Sequence, residues 1–155
     1  MGPLLAQLEQ SGLATWIRES GVLYGYPLIL FLHTLGLGTL VGLNTAIDLR
    51  LLAFGAAIPL ASLDKTFPLM WEGFALNAAT GSLLFISDAT KHASNPAFYV
   101  KLAGVGLAVM TLARVWSRVF RGHERGRILA AASLGCWFVA LSAGRLMAYV
   151  IEFLQ

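Results

Sequence analysis

The chain has 155 residues, of which 57% are hydrophobic and 12% are charged, and its mean hydropathy is +0.72. Soluble domains carry about 25% charged residues, so this composition excludes a disordered chain and an ordinary cytosolic enzyme. Eleven Lys and Arg against eight Asp and Glu give a net charge of +3. The basic residues are not interleaved with aromatic ones on one face, which excludes nucleic acid as a partner, and in a membrane protein such an excess sets topology.

The N-terminal segment, from about residue 4 to residue 19, has the pattern of an amphipathic helix. Its polar residues lie mostly away from one broad apolar face, formed by Leu4, Leu5, Leu8, Leu13, Trp16 and Ile17. A short helix of this kind lies in the interface of a membrane. The alternative is a frayed terminus.

Four longer segments are apolar enough to cross a bilayer, whose hydrocarbon core of about 30 Å needs roughly 20 residues. They cover residues 24–52, 67–89, 96–119 and 127–154. Pro27, Pro68 and Pro96 fall in the first turns of the first three, where a missing N–H costs little. The alternating segments of a transmembrane barrel do not occur. The sequence therefore predicts an all-α, integral membrane four-helix bundle with an N-terminal interfacial helix, forming a single domain over residues 1–155.

The orientation follows from the basic residues. Seven of the eleven lie in the first and third connections, namely Arg50, Lys65, Arg114, Arg118, Arg121, Arg125 and Arg127. Cytoplasmic loops carry the excess of Lys and Arg. We therefore expect a multi-pass protein of a bacterial inner membrane, surrounded by lipid, with both termini in the periplasm.

An ionisable residue deep in a span costs at least about 2.5 kcal/mol and calls for a function, and the candidates are His33, Lys101 and Arg145. His33 lies about 13 Å below the outer end of the first span. Lys101 and Arg145 lie in the outer part of the third and fourth spans. A neutral imidazole among apolar residues is a good axial ligand for haem iron, and two cations above it would neutralise the propionates. We therefore predict that His33 binds the iron of haem b, with Lys101 and Arg145 at the propionates.

The second axial ligand is open. Met147 lies at nearly the depth of His33, and His/Met ligation of haem is known. His92 would reach the iron only if the second connection folds inward. A five-coordinate iron is equally allowed. Room for a flat macrocycle would come from glycines in three spans, Gly36, Gly38, Gly42, Gly81, Gly104 and Gly106.

Blander interpretations stand beside these. Glycines in membrane helices mostly allow close packing, and Gly38 and Gly42 have the small-xxx-small spacing. Thr80 and other hydroxyl residues of the second span are expected to bond only to backbone carbonyls. Asn44, Asp48 and Arg50 close the first span, where a salt bridge that anchors the loop is favoured over a proton or ion relay.

The pattern also resembles a known group of proteins. Phe31-Leu32-His33-Thr34-Leu35 and Asn95-Pro96-Ala97-Phe98-Tyr99-Val100-Lys101-Leu102 resemble a family of short bacterial four-span membrane proteins that are mostly uncharacterised, as do Ile17–Ser20, Asp48–Leu52 and Gly144–Tyr149. More distantly, the histidine in the first span and the lysine that opens the third are similar to the copper-resistance D-type domain and to the HemJ-type protoporphyrinogen oxidase, a four-span haem b protein. This resemblance implies that His33 takes the haem-ligand position and Lys101 that of a functional lysine.

Three functions remain open at this stage. The first is a haem b protein that transfers electrons near the outer face. The second is a structural or accessory subunit, in which the polar residues hold the helices together and the chain assembles with itself or with a larger membrane complex. The third is copper or small-solute handling by His33, His92 and Met147.

Overall fold

The computed structural model describes residues 2–54, 57–122 and 126–153, and the side chains of all of these except residues 2, 22, 148 and 150–153. Every regular element in this part of the chain is a helix. In chain order they are α1 (Gly2–Glu9), α2 (Gly12–Glu19), α3 (Gly21–Tyr24), α4 (Tyr26–Leu51), α5 (Leu60–Asp64), α6 (Phe67–Ser87), α7 (Ala89–Ala93), α8 (Pro96–Arg114), a π-helical segment (Val115–Phe120) and α9 (Arg127–Phe153). Arg125 of the basic third connection and Leu154 at the predicted end of the fourth span lie outside the described residues.

Four helical stretches are long and apolar enough to cross a membrane, which confirms the predicted all-α fold class. They are Tyr26–Leu51, Leu60–Ser87, Pro96–Phe120 and Arg127–Met147. Large apolar side chains such as Phe31, Ile128 and Phe138 are exposed on them. Apolar surface of this extent is stable against lipid rather than against water.

The N-terminal segment forms two helices instead of one. The break falls at Gln10 and Ser11, where the Ser11 hydroxyl accepts the N–H of Ala14 at 3.3 Å and so caps α2. Serine favours an N-cap over a helix interior because its hydroxyl satisfies a free backbone N–H. Ile17, predicted on the apolar face, is buried together with Ala14, whereas Leu4, Leu8, Leu13 and Trp16 of that face are exposed. The placement of this face in the membrane interface stays a prediction.

The end of α4 is a Schellman motif. The N–H of Phe54 donates to the carbonyl of Leu49 at 3.0 Å, and the N–H of Ala53 donates to that of Arg50 at 3.1 Å. These bonds satisfy carbonyls that the helix leaves without intrahelical partners. Ala53 takes the left-handed conformation, φ 75°, at the position where glycine is most common.

The chain divides into two compact units. The first contains Met1–Leu40 and Trp71–Ser94, and the second contains Val41–Met70 and Asn95–Gln155. The helices α4 and α6 therefore each contribute to both units.

In the first unit, α4 and α6 approach until their backbones touch. A Cβ atom at Gly36 would lie 2.8 Å from the carbonyl oxygen of Gly73, which is closer than real Cβ contacts come. Gly38 and Gly42 have no such neighbour within 4 Å among the described atoms, so close packing at that pair stays a prediction. The contact uses Gly36 because only glycine lets two helix backbones come this close. Ile17, Ile29 and Leu84 form an apolar cluster beside it.

In the second unit, α8 packs on α9 at Gly104, where an added Cβ would lie 3.1 Å from Ala140. The π-helical segment follows α8, and at its end the backbone N–H of Arg121 donates to the Trp116 carbonyl at 3.3 Å. The guanidinium of Arg121 lies 4.5 Å from the Trp116 ring centroid. Phe67 contacts the rings of Trp116 and Phe120, which adds an aromatic cluster to this unit.

Candidate functional site

His33 is the eighth residue of α4 and is 9% exposed. Its imidazole belongs to the first unit, where it contacts α6. The Nδ1 atom lies 3.1 Å from the backbone carbonyl oxygen of Asn77 and 3.1 Å from the hydroxyl oxygen of Thr80. A histidine inside a membrane span is thus held against a neighbouring helix by one edge of its ring.

The partners of Nδ1 determine the tautomer of the ring. The Asn77 carbonyl can only accept a hydrogen bond. The Thr80 hydroxyl donates to the carbonyl of Leu76 at 2.6 Å, so its oxygen also accepts from the ring. Two acceptors at Nδ1 favour the tautomer with the proton on that nitrogen. In the neutral ring the lone pair is then on Nε2, and the donor Asn77 Nδ2 lies 3.4 Å from it.

The Asn77 side chain holds His33 from a second direction. Its Nδ2 donates to the backbone carbonyl of His33 at 2.9 Å, and the same atom lies 3.3 Å from Nδ1 and 3.4 Å from Nε2. Sequence reasoning missed Asn77 entirely. The available signal was an amide in an apolar span, three residues before Thr80.

Thr80 does more than the sequence predicts. It bonds to backbone carbonyls of its own helix, as expected, and it also reaches the imidazole of His33. Gly81 gives the ring its space, since a Cβ there would lie 3.1 Å from Cε1 of His33. Of the glycines predicted to make room for a cofactor, Gly81 faces the imidazole, whereas Gly36 and Gly104 are filled by contacts between helices.

Lys101 and Arg145 belong to the second unit, on α8 and α9. The Lys101 side chain lies along Gly144, with its Cδ, Cε and Nζ atoms 3.5–4.0 Å from where a Cβ of that glycine would be. Because Gly144 directly precedes Arg145, the structure brings Lys101 beside the segment that carries the second cation. The Arg145 guanidinium itself is exposed and lies 5.9 Å from the Tyr149 ring centroid.

The two predicted candidates for a second ligand have local roles. The backbone carbonyl of Met147 accepts a hydrogen bond from Asn95 Nδ2 at 3.3 Å, which ties the start of α8 to α9. The Nδ1 atom of His92 lies 2.8 Å from the Asp88 carbonyl, and its ring packs edge-on against Phe85. These contacts orient both residues without assigning either to a ligand set.

A second buried polar cluster, formed by Asn44, Asp48 and Ser133, joins α4 to α9 in the second unit. The Nδ2 atom of Asn44 donates to the Asp48 carboxyl and to the Ser133 hydroxyl. All three side chains are at most 1% exposed. The salt bridge expected at this end of the first span is not what anchors the loop, because Arg50 donates instead to the Ile58 carbonyl at 2.6 Å.

Within the described residues, no three His, Cys, Asp or Glu side chains are grouped so that they could hold a metal ion. Comparison with protein-family models, with curated proteins and with solved structures gives no match for this chain. The functional argument therefore depends on the geometry of the chain itself.

Proposed function

We propose that this four-span membrane protein binds haem b through Nε2 of His33 and serves in electron transfer near the outer face of the membrane. The observation that carries the proposal is the contact of His33 Nδ1 with the Asn77 carbonyl. Histidines that bind metals almost always donate the other ring N–H to a carbonyl or carboxylate, which fixes the tautomer and strengthens the ligand.

The residues present fit an axial haem ligand in one respect. The imidazole is buried in an apolar helix, and its Nδ1 atom faces a carbonyl that can only accept a hydrogen bond. Gly81 makes room for the ring itself, since a Cβ there would lie 3.1 Å from Cε1 of His33. A bound haem b would supply a one-electron couple between ferric and ferrous iron. The protein's contribution would be to hold the ring through Asn77 and Thr80, and to shield it from water.

The propionate role of Lys101 and Arg145 stays a prediction from the sequence. Both cations lie on helices of the second unit, and Lys101 runs along the segment of α9 that carries Arg145. A carboxylate is bound most strongly by donors that are themselves charged. This role predicts that the double variant Lys101→Met, Arg145→Met loses more haem than wild type during purification. The haem that remains bound should keep the wild-type spectrum, because His33 is unchanged.

The test is the absorption spectrum of protein purified in detergent from a host supplied with haem. Wild type should show a Soret band, and His33→Ala should lose it, whereas the matched control His92→Ala should keep it. His33→Gly with added imidazole should regain the band, since the free base can replace the missing ligand. Colourless wild-type protein, or an unchanged spectrum in His33→Ala, would contradict the proposal.

The contacts of His33 also favour a second candidate, a structural or accessory subunit of a membrane assembly. Asn77 Nδ2 donates to the backbone carbonyl of His33 and lies 3.4 Å from Nε2 of its ring, which fastens α4 to α6. His33→Asn separates the two candidates, because its amide can still donate where Nδ1 does but offers no nitrogen ligand to iron. Unchanged stability and assembly without haem binding in any variant would favour the structural role.

We also propose that the protein resides in a bacterial inner membrane with both termini in the periplasm. The basic residues of the third connection support this orientation, and among them Arg114, Arg118 and Arg121 are exposed. Reporter fusions placed after residue 60 and at the C-terminus test it. The first should report the cytoplasm and the second the periplasm.

A further inference from the structure

The cluster of Asn44, Asp48 and Ser133 contains a carboxyl group whose burial needs an explanation of its own. Asp48 is 1% exposed and lies on α4, opposite Ser133 on α9. Asn44 and Ser133 are the side chains that interact with it. Both are neutral, so neither cancels a negative charge.

The charged groups on the surrounding elements are directed elsewhere. Arg50, two residues further along α4, donates to the Ile58 carbonyl. Arg127, on the first turn of α9, is exposed, as are Arg114 at the end of α8 and Arg118 in the π-helical segment. Among the described residues, none with a charge acts on the Asp48 carboxyl. An ionised carboxylate without a paired cation is strongly disfavoured in such a place, and the usual outcome is that the group takes up a proton.

A second observation comes from the side-chain amide of Asn44. Asn44 is only 1% exposed, and its Oδ1 atom accepts no hydrogen bond from the described residues. A buried acceptor without a donor is uncommon in native proteins. A half-turn about the terminal torsion of the Asn44 side chain exchanges the positions of this acceptor and of the Nδ2 donor. The amide can therefore donate to Asp48 when that residue is ionised, and accept from Asp48 when it carries a proton.

The packing holds these groups in a defined register. Gly126, at the start of α9, contacts Leu51 and Val119, since a Cβ there would meet both side chains. Asn44 lies seven residues before Leu51, and Ser133 lies seven residues after Gly126, so α4 and α9 run antiparallel along this contact. Trp137 follows Ser133 by one helical turn, is 2% exposed, and has an indole N–H that donates to no described residue. Two buried groups without a described partner thus remain on these helices. The donor, on Trp137, lies one helical turn from Ser133, and the acceptor, on Asn44, lies one helical turn from Asp48.

We propose that Asp48, Asn44 and Ser133 form a proton-binding site, in which the Asp48 carboxyl holds a proton at neutral pH and the Asn44 amide adjusts to its presence or loss. Its three residues belong to the second unit, whereas His33 belongs to the first. On the predicted topology it lies toward the cytoplasmic end of the first span, where a proton can exchange with water during local opening of the helix end.

Infrared spectroscopy of the purified full-length protein tests this inference without reference to haem. Wild type at neutral pH should show the C=O band of a protonated carboxylic acid. Asp48→Asn, which is nearly isosteric, should lose that band, while the control Asp64→Asn, at an exposed carboxyl, should keep it. Ser133→Ala should shift the band, because the hydroxyl interacts with the carboxyl.

Three results would overturn the inference. One is the absence of the band at neutral pH in protein whose helical circular dichroism is intact. Another is a band that persists unchanged in Asp48→Asn. The third is its replacement by a carboxylate band when sodium is added at constant pH, because the occupant would then be an alkali ion bound by the same oxygens.

Discussion

The Nδ1 atom of His33 and the backbone carbonyl oxygen of Asn77 lie 3.1 Å apart, across the contact between α4 and α6. The distance is that of a hydrogen bond in which the ring donates. It ties the imidazole on α4 to the backbone of α6. The same contact therefore serves helix packing and, in the proposed function, orients the ligand.

Replacing Asn77 should weaken this contact measurably. Asn77→Leu removes the donor to the His33 carbonyl and the amide beside the ring. Hydrogen bonds between membrane helices average about 0.6 kcal/mol and reach about 1.7 kcal/mol, so we expect the free energy of unfolding in detergent to fall by about 1 kcal/mol. Ser82→Ala is the control, since Ser82 is exposed and bonds only within its own helix, to Ala78. Equal loss in both variants would mean that Asn77 does not link the helices.

Gly36 and Gly38 form a matched pair on one helix. A methyl group at Gly36 would lie 2.8 Å from the Gly73 carbonyl oxygen, whereas at Gly38 it would meet no described atom within 4 Å. Gly36→Ala should therefore lower the free energy of unfolding by about 1–3 kcal/mol through overpacking. Gly38→Ala should be neutral or slightly stabilising, because alanine favours helix over glycine by about 1 kcal/mol. Thermal unfolding of the two variants in the same detergent decides the comparison, and the reverse order would show that α4 and α6 do not pack at Gly36.

The contact between Glu9 and α7 should depend on pH. The Glu9 carboxylate accepts the Thr90 backbone N–H at 3.3 Å, and hydrogen bonds from the Thr90 side chain and backbone lower the pKa of Glu9 below its ordinary value of 4.5. A lowered pKa in the folded state means that the contact stabilises the fold above pH 4.5, and that this contribution is lost as the pH falls through the lowered value.

Hydrogen exchange of the Thr90 amide, corrected for the intrinsic pH dependence of exchange, measures this loss. Wild type should show more protection at neutral pH than in acid, and Glu9→Gln should be less protected at neutral pH and nearly independent of pH. Protection that is the same in both proteins across the whole range would show that the carboxylate does not hold α7.

Two tryptophans test how the protein meets lipid. Trp16 on α2 is 52% exposed, whereas Trp137 on α9 is 2% exposed. In vesicles of brominated lipid, a variant that retains only Trp16 should be quenched several-fold more than one that retains only Trp137, because the quenching needs close contact. If Trp16 were instead quenched by iodide in the water and not by the lipid, α2 would not lie in the interface.

The sequence predicts the spans well because their signal is local. A run of about twenty apolar residues and a proline in the first turn are properties of each segment alone. The helix α4 begins two residues after its predicted start, and α6, α8 and α9 each begin at the predicted residue. The break between α1 and α2 was missed because the apolar face continues through it, and only the capping by Ser11 marks it.

The partners of the functional residues were harder to predict because they lie far apart in the chain. His33 stands out as a histidine in an apolar run, but Asn77 follows it by 44 residues. Asn44 and Asp48 show the four-residue spacing of a helix face, while Ser133, which completes the cluster, is 89 residues from Asn44. One sequence without its packing does not reveal which serine or asparagine of another helix will meet a given side chain.

The pyridine haemochrome spectrum of the purified wild-type protein is the most direct test of the central claim. The account predicts the spectrum of haem b for the wild-type protein. It predicts that this spectrum is lost in His33→Ala protein that remains helical. Protein that is folded, produced with an ample haem supply and still free of haem would contradict the claim.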